Sequence, residues 1–139
     1  MGSMVNRATI ILADDHQHIA TQLRYLLSET FEVVAVVGDG QALVKAAARL
    51  HPDMVVTDIS MPGMDGIQAA REMLTRQPML RIVFITVHED IALARIAMEV
   101  GQGYVVKASA GDELVEAVNA VLNGGRFVSA SLGPLDDSF

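Results

Sequence analysis

The sequence predicts an α/β protein built on a doubly wound parallel sheet, and three observations predict it. Five short runs rich in Val and Ile alternate with five stretches whose apolar residues recur at helical spacing. The segments between successive runs are long enough for helical crossovers, which parallel strands require and hairpins do not. All runs but the second stop abruptly on acidic, hydroxyl or ammonium side chains, and ligands collect at that carboxyl edge in open α/β sheets. Periodicity does not set the strand order. The doubly wound pattern, with a switch point between the first and third strands, supplies 2-1-3-4-5 for a five-stranded (βα)5 sandwich.

The first strand is Ala8 to Ala13, ending on Asp14-Asp15, and Ile19, Leu23, Leu26 and Leu27 then form one apolar helical stripe. Phe31 to Val37 is the second strand. Gly38 and Gly40 punctuate, Asp39 is a candidate helix cap, and Leu43, Ala46, Ala47 and Leu50 share one face of the second helix. The third strand starts at Val55 and ends on Asp58, bounded by Pro52 and Pro62. Helix three runs from about Gly66 to Arg76. Arg81 to Ile85 is strand four, ending on Thr86, and helix four spans Asp90 to Val100 until Gly101 breaks it. Tyr104 to Val106 is strand five, ending on Lys107. Leu114, Ala117, Val118, Val121 and Leu122 mark helix five, closed by Gly124-Gly125. Residues 1–3 read as a tag scar before a start at Met4, residues 4–128 as one domain, and 129–139 as a tail or the start of an interdomain linker.

Composition narrows the function. Of 139 residues 51% are apolar and 19% charged, which predicts a well-filled core. No apolar run reaches the roughly 20 residues of a spanning helix, and no signal peptide is visible. There is no cysteine, which excludes disulfides and thiolate-bound metals and is compatible with a reducing cytoplasm. A net charge of −7, no basic block and 4% aromatics argue against this segment gripping nucleic acid itself.

With the first and third strands adjacent, Asp14, Asp15 and Asp58 share one edge, and such close like charges need a cation among them. An all-oxygen site favours a hard ion, Mg2+ foremost. Strands four and five add the Thr86 hydroxyl and the Lys107 ammonium. Together these groups supply what a phosphoryl group needs: Mg2+ and Lys107 to neutralise its oxygens, Thr86 to hydrogen-bond one, and Asp58 as nucleophile.

From about Ala8 to Val128 the chain resembles a response-regulator receiver domain of two-component signalling, a bacterial phosphorelay module. The resemblance rests on Asp14-Asp15, Pro52-Asp53 leading into Val55 to Asp58, Met61-Pro62-Gly63-Met64-Asp65-Gly66, Thr86, and Gly103-Tyr104-Val105-Val106-Lys107, in that order. It implies a flavodoxin-like fold and phosphorylation of Asp58 by a histidine kinase. Mg2+ would be held by Asp15, Asp58 and the Ser60 backbone carbonyl, with Asp14 acting through water. Lys107 would pair with the phosphoryl group, Thr86 would move toward it, and Tyr104 would change exposure with Thr86, switching the face formed by helix four, strand five and helix five. Ser60, Val87 and His88 occupy rate-tuning positions. The module would phosphorylate and dephosphorylate itself rather than turn over an external substrate, and would work in the cytoplasm, as a homodimer when activated.

The chain departs from the pattern in two places. Val87 follows Thr86 where many receivers have a smaller residue, so loading by small phosphodonors is expected to be slower than in a Val87→Ala variant. Ala108 follows Lys107 where many receivers carry a proline that supports a cis bond, so the loop either stores strain or runs trans. His16, His18 and His88 fall near the site edge; a transition-metal role is weighed against solvated histidines, which the hard-ligand centre favours. Met61 and Met64 are assigned to loop packing. Two rival functions remain. Haloacid-dehalogenase-like phosphatases share the strand-end Asp but carry a second Asp where Ser60 stands. A flavodoxin-like cofactor domain would need a phosphate-cradling loop where Asp14-Asp15 would repel phosphate.

Gly124-Gly125-Arg126-Phe127-Val128-Ser129 is similar to the receiver terminus of NarL/FixJ-type transcription factors, in which a linker and helix-turn-helix domain follow. Ala130 to Phe139 cannot hold such a domain. The resemblance therefore implies a receiver excised from a DNA-binding regulator of transcription, with a stand-alone regulator or hybrid-kinase fragment as alternatives.

Overall fold

The β-branched runs pair side by side in parallel, and the helices between them fall on both faces of the sheet. The computed structural model describes residues 7–135, so the tag boundary at residues 1–3, Met4 and the last residues of the tail lie outside the described part. The elements are β1 (Thr9–Ala13), α1 (Gln17–Ser28), β2 (Glu32–Val37), α2 (Gly40–Leu50), β3 (Met54–Asp58), α3 (Gly66–Arg76), β4 (Arg81–Thr86), α4 (Ile91–Val100), β5 (Gly103–Val106), α5 (Ala110–Leu122) and β6 (Phe127–Val128). The sheet order is β2-β1-β3-β4-β5-β6. The expected order 2-1-3-4-5 holds, and the expected five-stranded sheet gains a sixth strand, Phe127–Val128, parallel to β5. Two residues are too few to show an alternating pattern, so this strand could not be read from periodicity.

Alternation along the strands divides the core. Ile10, Leu12, Val56, Ile85 and Val105 pack with Leu23 and Leu27 of α1 and Leu114 and Val118 of α5. Ile11, Val55, Phe84 and Tyr104 face the other way, toward Leu43 of α2, Ala70 and Met73 of α3, and Ala94 and Ala97 of α4. Leu132, in a short 3-10 turn after β6, is buried in this second cluster, and Leu135 packs against it. The segment following Val128 is therefore folded onto the domain as far as it is described. No helix among the described residues is long and apolar enough to cross a membrane.

Capping sets where the helices begin. Asp39 accepts from the Ala42 N–H, Asp90 from the Ala92 N–H, and Asp65 forms a reciprocal capping box with Gln68. Gly66 opens α3 for a steric reason: a Cβ there would sit 2.0 Å from the Asp58 carbonyl oxygen. A Cβ on Gly40 would lie 2.3 Å from the Met64 carbonyl oxygen. The two glycines let the loop after Asp58 lie close against the neighbouring backbone.

Candidate functional site

Strand register assembles the site. Ala13 pairs with Thr57, so the next residues, Asp14 and Asp58, stand level. Asp58 pairs with Ile85 and Thr86 with Val106, so Thr86 and then Lys107 arrive one step further along the same edge. Four residues from four strands thus arrive at one edge because each follows, or ends, an apolar run of matched length.

Asp14 and Asp58 are each only 3% exposed. The Lys107 ammonium lies 2.8 Å from Asp58 Oδ2, to which it donates, and 2.8 Å from Asp14 Oδ2 as an ion pair. Apart from that ion pair, Asp14 Oδ2 receives no hydrogen bond. The Ser60 backbone N–H donates to Asp58 Oδ1 at 3.2 Å, and the His16 N–H donates to Asp14 Oδ1 at 2.9 Å. Burial alone would pull the Lys107 pKa down, but hydrogen bonds and charge from Asp14 and Asp58 outweigh it and hold the ammonium above its ordinary value. One ammonium therefore serves two buried carboxylates, with the exposed Asp15 carboxylate beside them.

Ligand atoms of Asp14, Asp15, His16 and Asp58 lie within 4.8 Å of one another. The donor set is mainly carboxylate oxygen, and one ammonium faces two buried carboxylates with a third beside them, so the residues fit a hard divalent cation. His16 was expected to be a solvated histidine. Its side chain is indeed 63% exposed, yet Nδ1 lies 3.2 Å from Asp15 and 3.4 Å from Asp14, at the rim of the cluster. Exposure hides such a role from sequence patterning. His18 faces solvent and meets Gln22.

Thr86, fully buried, accepts through Oγ1 from the His88 backbone N–H at 3.2 Å. Tyr104, also fully buried, donates its hydroxyl to the His88 carbonyl at 2.9 Å. The ring expected to change exposure is therefore inside, and Thr86 and Tyr104 grip the same residue. Burial, followed by the charge of Asp90, pushes the Tyr104 pKa up to about 12. The His88 imidazole reaches across to Ser60, with Nε2 3.3 Å from Oγ, so two of the expected rate-tuning side chains touch. The third, Val87, is 64% exposed. Met61 is buried and Met64 packs against the same cluster, as loop packing requires. There is no cis peptide among the described residues, so Lys107-Ala108 runs trans, with Lys107–Ser109 forming a 3-10 turn.

A doubly wound parallel sheet with an acid after β1, an acid ending β3, a hydroxyl ending β4 and a lysine after β5 defines an α/β domain whose acidic site lies at the carboxyl edge of its strands. The response regulator receiver domain model matches residues 10–119, and the chain belongs to that family. It is a signalling module rather than a turnover enzyme. The chain is 32% identical over 126 residues to the transcriptional regulatory protein DegU of Brevibacillus brevis, an alignment covering 88% of this chain and 53% of that protein. It spans about half the length of the curated relatives it matches. Among solved structures, a LuxR-family two-component response regulator from Aurantimonas sp. SI85-9A1 matches with a TM-score of 0.87 and 35% identity, covering 91% of this chain and 93% of that one. RcsB of Salmonella enterica serovar Typhimurium, as its isolated REC domain with the phosphomimetic BeF3-, matches with a TM-score of 0.85 and 29% identity over 94% of this chain and 99% of that one. RcsB has also been solved as two dimers bound to two parallel DNAs, at the same TM-score and identity and covering 94% of this chain and 68% of that one. These relatives place the chain with regulators of the LuxR, or NarL/FixJ, type.

Proposed function

We propose that a histidine kinase phosphorylates this domain on Asp58, and that the resulting acyl phosphate switches the α4, β5, α5 face to control transcription through a DNA-binding domain elsewhere in the parent protein. The observation that carries the reading is the single ammonium shared at 2.8 Å by the buried carboxylates Asp14 and Asp58. An Asp58 carboxylate oxygen attacks the donor phosphorus, forming an O–P bond as the bond to the phosphohistidine nitrogen breaks and that nitrogen takes its electron pair. Asp15, Asp58 and the Ser60 carbonyl would hold Mg2+, with Asp14 acting through water. When bound, that ion neutralises charge on the phosphoryl oxygens.

Lys107, freed from one oxygen of Asp58, re-aims its ammonium at the phosphoryl group. Acceptance from His88 leaves the Thr86 O–H available to donate to a phosphoryl oxygen. Drawing Thr86 toward the site pulls on the His88 N–H, and Tyr104 is tied to the carbonyl of the same residue, so the site and the α4 side of the sheet move together. Ser60 and His88, whose side chains lie 3.3 Å apart, would orient or block the attacking water, and with the exposed Val87 they would set the lifetime. The charge balance leaves nucleic acid to the proposed DNA-binding domain, and activation pairs two copies, RcsB being dimeric in its structure on DNA. Cytoplasmic placement follows from the kinase partner.

The test is incubation with Mg2+ and a small phosphodonor, or beryllofluoride, comparing wild type with Asp58→Asn. Wild type gains one phosphoryl mass and shifts its amide spectrum, and Asp58→Asn does neither. Unchanged mass and spectrum in wild type would overturn the reading.

A further inference from the structure

The segment after β6 is fastened to the strand that carries the lysine. Ser129 is fully buried although it follows the last strand. Its Oγ accepts from the Val106 N–H at 2.8 Å and donates to Glu113 Oε1 at 2.6 Å. The other oxygen, Glu113 Oε2, accepts from the Ala130 N–H at 3.0 Å, and the Ser129 N–H donates to the Tyr104 carbonyl at 2.9 Å. β6 ends at Val128, so at Val106 the serine oxygen replaces the carbonyl that a longer edge strand would have supplied. The hydroxyl is used in both directions, and Glu113 accepts at both oxygens. Four hydrogen bonds close a clasp between the segment, the end of β5 and the first turn of α5.

The clasp lies one peptide from Lys107. Val106 is the last residue of β5 and Lys107 the next, so the bond that holds the Val106 N–H also fixes where the Lys107 chain starts toward Asp14 and Asp58. On the other side, Leu132, three residues beyond Ser129, is buried in the cluster that contains Tyr104. We propose that Ser129 and Glu113 are positioning residues for Lys107, and that their clasp couples the state of Asp58 to the docking of Ser129–Leu132, the segment through which the chain continues. The inference rests on the phosphoryl-acceptor reading above. A lysine that re-aims toward a new group shifts the peptide it hangs from. Coupling of this kind is reciprocal, so docking of the segment must bias Lys107 by the same factor.

The experiment measures both ends of the clasp in wild type, Ser129→Ala and the shape-conserving Glu113→Gln, with Mg2+ and beryllofluoride as the probe and thermal unfolding as the control for folding. In wild type, saturating beryllofluoride slows hydrogen exchange of the Ala130 and Leu132 amides by about five-fold, the lower end of ordinary coupling. In both variants the half-saturating beryllofluoride concentration rises by a similar factor, and the exchange rates no longer respond to it. A merely structural clasp gives another result: faster exchange in the variants, with beryllofluoride binding and the Val106 amide shift on binding as in wild type. That result overturns the inference while leaving phosphorylation at Asp58 standing. Failure of wild type to bind beryllofluoride at all would sink both.

Discussion

At the amino edge of the sheet, Asp53 faces Thr9, and the pair closes on itself. The Thr9 N–H and hydroxyl donate to Asp53 Oδ2 at 2.8 and 3.2 Å, and the Asp53 N–H donates back to Thr9. Nearby, the Arg81 guanidinium caps the Val121 and Leu122 carbonyls at the end of α5. At the carboxyl edge, Asp14 and Asp58 are nearly sealed from water and share one ammonium, with Asp15 beside them. Both edges join neighbouring strands through aspartate. At the amino edge donors match acceptors; at the carboxyl edge negative charge outnumbers its partners. A surplus of buried charge costs stability, and its presence at one edge only marks that edge as the place where a cation or a phosphoryl group changes the balance.

Lys107→Met is the strongest way to break this contrast. It leaves two buried carboxylates with no cation, and without divalent metal it should cost roughly 3 kcal/mol in urea unfolding. Adding Mg2+ should return more stability to this variant than to wild type, because the acids then hold the charge they lost. An unfolding midpoint equal to that of wild type would mean that the carboxyl edge needs no counter-charge.

The two edges should also answer oppositely to removal of an aspartate. Without divalent metal, Asp14→Asn relieves repulsion with Asp58 and should raise stability by about 1 kcal/mol. Asp53→Ala strands donors of Thr9 and should lower it by about 1 kcal/mol. If both substitutions destabilise, the acids after β1 and β3 are as structural as Asp53, and the asymmetry between the edges disappears.

Why one edge was legible in sequence and other features were not follows from the same physics. A carboxylate ending an apolar run is anomalous enough to stand out, so Asp14, Asp58, Thr86 and Lys107 could be placed at one edge before any register was known. The caps Asp39 and Gly101 were equally visible, because capping is local. Glu113 in the first turn of α5 is an ordinary helix-dipole residue until Ser129, sixteen positions away, is folded against it. The tie between Thr86 and Tyr104 runs through the backbone of His88, which no side-chain pattern encodes. The need for glycine at position 66 is likewise invisible in the motif Met61 to Gly66, because it lies in the closeness of the Asp58 carbonyl.

The smallest expected effect tests the burial of the Tyr104 hydroxyl, which that backbone tie requires. The unfolded chain loses the Tyr104 proton near the ordinary value of 10.0, while burial and the charge of Asp90 keep it in the fold to about 12. Between those values the native state binds more protons than the unfolded state. The contribution is therefore complete below pH 10 and is lost as pH rises toward 12. Near pH 10.5 the loss should be roughly 0.8 kcal/mol, and Tyr104→Phe should lack it. The raised Lys107 pKa acts in the same direction but is common to both proteins, so the difference in slope isolates the phenol. Urea midpoints for wild type and Tyr104→Phe that run parallel from about pH 9 to 11 would show that the hydroxyl is open to water rather than buried against the His88 carbonyl. Thr86 would then have no partner through which to move the α4 side of the sheet, and the asymmetry at the carboxyl edge would stop at the site itself.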